Sequence, residues 1–350
     1  MSCRENVEPG PGALSRCVVL AFQNISLGAG RRGLAGLVGR PGGIRRPAAF
    51  FIIICIVAGV LAPAFFSLNN FIALLTNSSF LIVVAAGESL VILVGMIDLG
   101  VESVLAASGM FIAWLTVFHG VPAGAAIVLT LAAGAAVGVL VGLLVARGGI
   151  PSFIVTLATY WGLRGVALLF NGGNYISPDA VSPPRPFGFA GIAANIGGVP
   201  ILILIALIIV ILAQAVVSLT PLGAWIRASG SNENAARAVG VRTDAIKILT
   251  FAISGFMAAL AGIMITAWQD SIYPLTGEGY SLQAIAGVIL GGIPFNGGRG
   301  TIVGAALGVL VIGVINDVIV LIGLPALYEY IFVAAILVLA GLQARLASAK

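Results

Sequence analysis

The sequence is poor in charge and in the side chains that most enzymes use for catalysis. Only 8% of its 350 residues are Asp, Glu, Lys or Arg, and it holds a single histidine, His119. Soluble domains carry about 25% charged residues, so this composition excludes an ordinary soluble enzyme. The inventory offers no Ser-His-Asp set, no pair of catalytic carboxylates and no metal cluster. We therefore expect neither a catalytic site nor a metal site.

Lysine and cysteine are equally scarce. The lysines are Lys247 and Lys350, and neither follows a glycine, so the phosphate-binding loop G-x-x-x-x-G-K-[ST] is absent. The three cysteines, Cys3, Cys17 and Cys55, have neither metal-ligand spacing nor a disulfide framework. The chain is expected to bind no cofactor itself. If the protein uses ATP, another subunit must bind it.

What the sequence has in abundance is long apolar runs, with 60% hydrophobic residues overall. A helix needs about 20 such residues to cross a bilayer. The pattern predicts an all-α, polytopic membrane protein with about ten transmembrane helices and with the lipid bilayer as its surroundings. The predicted spans are 47–66, 75–97, 101–118, 122–146, 150–170, 199–219, 246–268, 279–293, 301–322 and 325–343.

The placement of positive charge predicts the orientation. With the N-terminus in the cytoplasm and ten crossings, all 17 Lys and Arg except Arg164 and Arg185 fall on the inner side, as the positive-inside rule requires. Both termini are then cytoplasmic, and the net charge of +5 needs no nucleic-acid partner. Residues 1–46 are predicted to be a basic, disordered cytoplasmic tail, followed by a transmembrane domain over 47–345.

Glycine patterns mark close packing and breaks. Stripes at four-residue spacing let helices approach closely in lipid; they are Gly134, Gly138 and Gly142, and Gly300, Gly304 and Gly308. The segments 91–95 and 288–292 resemble each other, and each runs into a glycine-rich break. Paired broken helices indicate a transport site near the middle of the membrane. The predicted span 279–293 is short for a full crossing and is a candidate re-entrant element.

Ionisable residues inside spans are costly and are therefore functional candidates. The candidates singled out here are Glu88 in the second predicted span, Asp98 and Glu102 at the junction of the second and third, Arg164 in the fifth and Asp317 in the ninth. The depths of Glu88 and Arg164 along their helices differ by about 7–8 Å at 1.5 Å per residue. We therefore hypothesise an ion pair between these two residues, with a structural role or a role in a pathway.

The longest predicted inner loop, 220–245, contains signals for a short surface helix. Ser231 or Asn232 can cap it, Glu233 suits its first turn, and Gly240 is a natural stop. One small apolar face is predicted, formed by Ala235, Ala236 and Val239. A solvated connector would account for such a helix, but so would docking into a groove on a partner.

Four further stretches of the sequence form a recognisable set. They are GESLVILVGMIDLGVES at 87–103, GIPSFIVTLA at 149–158 with Arg164-Gly165, GSNENAARAVG at 230–240, and the run from GEGY at 277–280 through AIAGVILGG at 284–292 to GGRG at 297–300. Through these stretches the chain resembles a known family, the inner-membrane permeases of bacterial ATP-binding-cassette sugar importers of the ribose/xylose/autoinducer-2 type.

The resemblance implies a multi-pass protein of the bacterial inner membrane with three kinds of protein partner. These are a cytoplasmic ATP-binding-cassette ATPase that binds ATP and magnesium, a periplasmic solute-binding protein, and a second permease copy in a homo- or heterodimer. The resemblance implies that the helix from Asn232 to Gly240 is the coupling helix, which receives the conformational change of the ATPase. Its coupling residues are expected to be Asn232, Glu233, Ala235, Ala236, Arg237 and Gly240. The translocation pathway candidates are Glu88, Asp98, Glu102, Phe153, Thr156 and Arg164.

The expected solute is a pentose, a hexose or a related polyol-like molecule. The sequence departs from the family pattern at Met96, Gly100 and Glu102, where that pattern has Gly, Ser and Gly. An extra carboxylate at position 102 would change which solute passes. Two alternatives stay open: a permease for branched-chain amino acids or nucleosides, and a proton-coupled secondary carrier that uses Glu88, Asp98 or Asp317.

Overall fold

The computed structural model describes residues 44–325, 327–329, 331–335 and 338. The predicted tail up to residue 43 and part of the predicted span 325–343 lie outside these residues. The α-helices are α1 (Arg45–Leu61), α2 (Leu68–Leu93), α3 (Val101–Ala113), α4 (Ala123–Ala146), α5 (Ser152–Leu169), α6 (Ile201–Leu219), α7 (Pro221–Ser231), α8 (Glu233–Ala238), α9 (Thr243–Gln269), α10 (Tyr280–Leu290) and α11 (Ile302–Leu321).

Seven helical segments of the described chain are long and apolar enough to cross a membrane. They are 68–93, 101–118, 123–146, 152–169, 201–219, 243–269 and 302–321, and the second of them ends in a π-helical turn, Trp114–Phe118. Each coincides with a predicted span. α2 begins at Leu68, earlier than the predicted residue 75, because the Ser67 hydroxyl accepts a hydrogen bond from the Asn70 backbone N–H and caps the helix.

α10 is a broken element, as the sequence indicates. It has 11 residues, which at 1.5 Å each is about 16 Å, roughly half the hydrocarbon thickness. It starts after Gly279, whose φ is +85°, and stops at Gly291. The short length follows from glycine at both ends, where the chain turns more sharply than a helix allows.

The glycine stripes lie at helix contacts, as predicted. α9 is the central helix and packs against α2, α3 and α4. A Cβ on Gly134, Gly138 or Gly142 of α4 would collide with the α9 backbone near Gly255, Phe251 or Ile248. Gly304 and Gly308 of α11 meet Gly291 and Gly287 of α10 in the same way. The backbones can approach this closely because these positions carry no side chain.

The segment between α5 and α6, which we call the α5–α6 segment, is mostly irregular. It contains short 3₁₀ turns and a two-residue antiparallel pair, β1 (Asn195–Ile196) with β2 (Val199–Pro200). Ile176 of this segment and Ile272, which follows α9, exchange backbone hydrogen bonds of 2.9 and 3.0 Å. The α5–α6 segment is therefore hydrogen-bonded to the 270–279 segment, which leads into α10.

Candidate functional site

A buried ion pair joins α3 and α5. Arg164 Nη2 lies 3.0 Å from Glu102 Oε1, and both side chains are almost fully buried. The hypothesised pair between Arg164 and Glu88 is therefore wrong. The depth argument considered only distance along the membrane normal, whereas the packing of α5 on α3 brings Arg164 to Glu102.

The pair also holds the start of α10. Glu102 Oε2 accepts hydrogen bonds from the Ser281 backbone N–H at 3.1 Å and from its hydroxyl at 2.7 Å. Arg164 Nη1 donates to the Pro274 carbonyl at 2.8 Å, and its guanidinium lies 5.5 Å from the centre of the Tyr160 ring. One ion pair thus fastens together α3, α5 and the 270–279 segment. Sequence reasoning missed Ser281 and Tyr160, because nothing local marks them.

Glu88 and Asp98 form a second buried polar group. The Asp98 backbone N–H donates to Glu88 Oε1 at 3.2 Å. Asp98 itself accepts from the Gly100 N–H at 2.9 Å and from the Ser254 hydroxyl at 3.2 Å. Glu88 Oε2 is buried and has no hydrogen-bond partner among the described residues. These acids stabilise the turn between α2 and α3 and connect it to α9.

The other two predicted pathway residues do not join either group. Phe153 is exposed on α5, and Thr156 is buried, with its hydroxyl donating to the Phe153 carbonyl at 3.4 Å. Asp317, another acid inside a predicted span, accepts a hydrogen bond of 2.7 Å from the Asn70 side chain, away from both acid groups. The predicted polar residues therefore separate into distinct locations.

A cavity of about 380 Å³ lies against the Glu102–Arg164 pair. Its wall is mostly apolar and includes residues from α3, α5, α10 and the chain near 333. Its polar groups come from Glu102, Tyr160, Glu278, Ser281 and Gln283. A mostly apolar cavity with a few placed polar groups is the usual form of a small-molecule site.

The loop predicted over 220–245 contains two helices rather than one. We call residues 221–242, which hold α7 and α8, the platform. α7 was missed by sequence reasoning, although a cap and a proline mark its start. The Thr220 side chain accepts from the Gly223 N–H, and Pro221 occupies the first helical position.

The ends of α8 agree with the prediction. Asn232 Oδ1 accepts from the Ala235 N–H at 3.0 Å and caps the helix. Gly240, at φ +87°, ends it. Its N–H donates to the Arg237 carbonyl, and the Val241 N–H donates to the Ala236 carbonyl, which is a Schellman motif. The position requires positive φ, which glycine adopts at low cost.

Glu233 binds its own chain. Its Oε1 accepts from Lys247 Nζ at 2.7 Å, from Arg237 at 3.0 Å and from the Thr243 hydroxyl at 3.2 Å. Partial burial alone would raise the pKa of the Glu233 carboxyl, but the hydrogen bonds from Lys247 and Arg237 outweigh it and lower that pKa. Glu233 therefore fixes α8 to α9.

The predicted apolar face of α8 is split. Ala236 is buried against the rest of the chain, whereas Ala235 and Val239 are exposed. The prediction treated α8 as lying alone, but α8 packs on α7 and α9. A partner can therefore contact Ala235, Arg237 and Val239 directly, while Ala236 acts through the packing of the helix.

The two glycine-rich breaks meet beside the platform. The Gly298 N–H donates to the Leu93 carbonyl at 2.9 Å, and a Cβ on Gly230 of α7 would collide with the same carbonyl and with Gly298. The end of α2, the turn before α11 and the platform thus touch at one point. The chain near residue 93 therefore meets the chain near residue 298, whereas the transport site that the internal resemblance indicates stays a prediction.

Comparison with known proteins decides the family. The profile described as "Branched-chain amino acid transport system / permease component" matches residues 70–341. This chain belongs to that permease family.

Curated relatives of the permease are import proteins. It is 38% identical over 292 residues to the ribose import permease protein of Escherichia coli K12, covering 83% of this chain and 90% of the relative. It is 34% identical to the D-allose transport system permease protein of the same organism, over 85% of this chain and 91% of the relative. It is 35% identical to the autoinducer 2 import system permease protein of Photorhabdus laumondii, over 85% and 87%. No solved structure matches the permease.

Proposed function

We propose that this permease is the membrane-spanning subunit of an ATP-driven importer in the bacterial inner membrane. Its solute is a sugar of pentose or hexose size, or a related polyol-like molecule. The names of the curated relatives support this class of solute, since they import ribose, allose and autoinducer 2. The description of the matching family names branched-chain amino acids instead, and that solute is the first alternative.

The observation that carries the proposal is the placement of the platform against both breaks. An ATPase that docks on the exposed side of α7 and α8 pushes on a helix that Glu233 fixes to α9. Gly230 transmits that push directly to Leu93 and Gly298. Movement at this point changes the angles of α2 and α11, and the access of the cavity changes with them.

The remaining parts of the importer are proposed from the same relationship. The ATPase binds ATP and magnesium, a solute-binding protein delivers the solute from outside, and a second permease copy completes the membrane unit. We propose ten crossings with both termini in the cytoplasm, which the distribution of Lys and Arg supports. Cysteines introduced at Ser182 and Ser231 should be labelled from the outside and the inside, respectively. The reverse labelling would contradict the orientation.

Cross-linking at Val239 tests the docking surface. Val239 is 62% exposed, so a cysteine there should cross-link to a co-purifying ATPase without disturbing the fold. In the permease without this added cysteine, Val239→Trp should abolish both co-purification of the ATPase and ATP-driven uptake. The matched control is Val60→Trp on α1, where the native side chain is 78% exposed. Equal ATPase recovery and uptake in the two variants would refute the docking assignment.

A proton-coupled carrier is the second candidate function, and the buried Glu88 favours it. A carboxyl inside a membrane helix with an unpartnered oxygen is a known kind of proton-binding group. Glu88→Gln separates the candidates. A carrier that uses this acid loses transport, whereas the importer retains ATP-driven uptake because its energy comes from the ATPase.

A further inference from the structure

The cavity beside the Glu102–Arg164 pair carries an excess of negative charge. The carboxylates of Glu102 and Glu278 both line it, and no Lys, Arg or His is among its described wall residues. Glu102 is neutralised by Arg164 from behind the wall. The Glu278 side chain makes no ion pair or hydrogen bond with any described residue. One negative charge is therefore left uncompensated.

The neighbouring cation does not line the cavity. Arg164 is buried, with one terminal nitrogen on Glu102 and the other on the Pro274 carbonyl, and its Nε, which has no hydrogen-bond partner among the described residues, is buried as well. Since Arg164 is absent from the described wall, an anionic solute would gain it as a partner only by disturbing this pair. Breaking it leaves Glu102 as a buried carboxylate without a countercharge, which is strongly unfavourable.

The other polar groups suit a solute that donates hydrogen bonds. Carboxylates accept hydrogen bonds and do not donate them when ionised, so the exposed carboxylate of Glu278 can bind hydroxyl or ammonium groups. Glu102 is only 2% exposed and adds little to such contacts. The Tyr160 ring adds an aromatic surface that can attract cations and can pack against the apolar face of a sugar ring.

We propose that this cavity selects polyhydroxylated solutes that are neutral or carry an amine, and that it rejects anionic ones such as sugar acids and sugar phosphates. The selection is made by Glu278 within the permease, in addition to any selection by a binding protein. The proposal rests on the proposed transport function.

Thiol labelling measures the charge preference without knowledge of the solute. The full-length permease, with Cys3, Cys17 and Cys55 changed to Ser, receives a single cysteine at Leu157, which lines the cavity. The reagents are methanethiosulfonates that carry either a trimethylammonium or a sulfonate group. The control is Ile196→Cys in the α5–α6 segment, which lies outside the candidate membrane spans, is 61% exposed and does not line the cavity.

We expect the ratio of cation to anion reaction rates to be about tenfold higher at Leu157→Cys than at Ile196→Cys, the size expected for one unpaired charge within about 10 Å in a partly hydrated site. Glu278→Gln should remove most of this difference. Asp270→Asn, which removes an acid from the same segment but not from the cavity wall, should leave it unchanged.

Equal ratios at the two cysteines overturn the proposal, and so does a ratio that Glu278→Gln leaves unchanged. Failure of both reagents to reach Leu157→Cys while Ile196→Cys reacts overturns it too, because the cavity is then closed to water-soluble molecules. The assay needs neither ATP nor an ATPase. Loss of ATP-driven uptake with the charge preference intact would therefore refute the transport function and leave the charge preference of the cavity standing.

Discussion

The buried ion pair between Arg164 and Glu102 offers the most informative perturbation of the fold. Arg164→Met keeps much of the side-chain length and removes the charge. It leaves Glu102 buried, with only the Ser281 N–H and hydroxyl as partners. It also removes the donor to the Pro274 carbonyl. The start of α10 and the 270–279 segment should therefore loosen together with α5.

The geometry sets the size of the effect. At 3.0 Å and an effective dielectric constant of about 20, the attraction is about 5 kcal/mol before the cost of desolvation. Removal of one partner of a buried pair usually costs about 3–5 kcal/mol of unfolding free energy. Since Ser281 still satisfies part of the carboxylate, we expect a loss near the lower end, about 3 kcal/mol.

A double-mutant cycle measures the coupling in detergent or bicelles by steric trapping of the unfolded chain. Arg164→Met combined with Glu102→Gln should recover about 2 kcal/mol relative to the sum of the single losses. Arg164→Met combined with Glu88→Gln is the control and should be additive within about 0.5 kcal/mol. Coupling to Glu88 instead of Glu102, or to neither, would refute this account of the pair.

Four further perturbations test the platform and the packing. Lys247→Ala should lower the hydrogen-exchange protection of α8 by about fivefold, as expected for a pair worth about 1 kcal/mol, and Lys247→Arg should retain most of it. The folded-state pKa of Glu233 is lowered. The stabilisation of α8 by the ionised Glu233 carboxylate is therefore complete above the ordinary pKa of about 4.3, and it is lost as pH falls through the lowered pKa. Hydrogen-exchange protection of α8 that instead falls between pH 8 and pH 6 would contradict this. Gly138→Ala should reduce the free energy of unfolding by about 2 kcal/mol or more, because the added Cβ collides with α9. Gly162→Ala is the control, since a Cβ there meets open space, and it should be neutral or stabilising by up to about 1 kcal/mol. Equal effects of the two substitutions would contradict the described packing of α4 on α9. Gly240→Ala should destabilise the end of α8 by about 1 kcal/mol because of its positive φ, seen as faster exchange at Val241.

Apolar length was sufficient to predict the seven helical segments of the described chain that are long enough to cross a membrane, and glycine spacing predicted where some of the helices pack closely. The stripe of Gly134, Gly138 and Gly142 correctly indicated a helix contact because glycine at this spacing has few other uses in lipid. The cap at Asn232 and the stop at Gly240 were also predictable, since both depend on local backbone chemistry.

Partners across helices were not predictable from one sequence. Arg164 pairs with Glu102 rather than Glu88 because rotation about the helix axis decides which side chain faces which neighbour, and a depth argument does not contain that rotation. The burial of Ala236 depends on α7 and α9 packing around α8, which local periodicity does not show. Ser281 and Tyr160 joined the site only through tertiary structure.

The energy source of transport tests the central claim most directly. Right-side-out membrane vesicles that contain the permease, its ATPase and its binding protein would be assayed for uptake of labelled ribose and allose. The account predicts uptake that requires ATP inside the vesicles, survives a protonophore and is abolished by Val239→Trp. Uptake that continues without ATP and collapses with the proton gradient would contradict it.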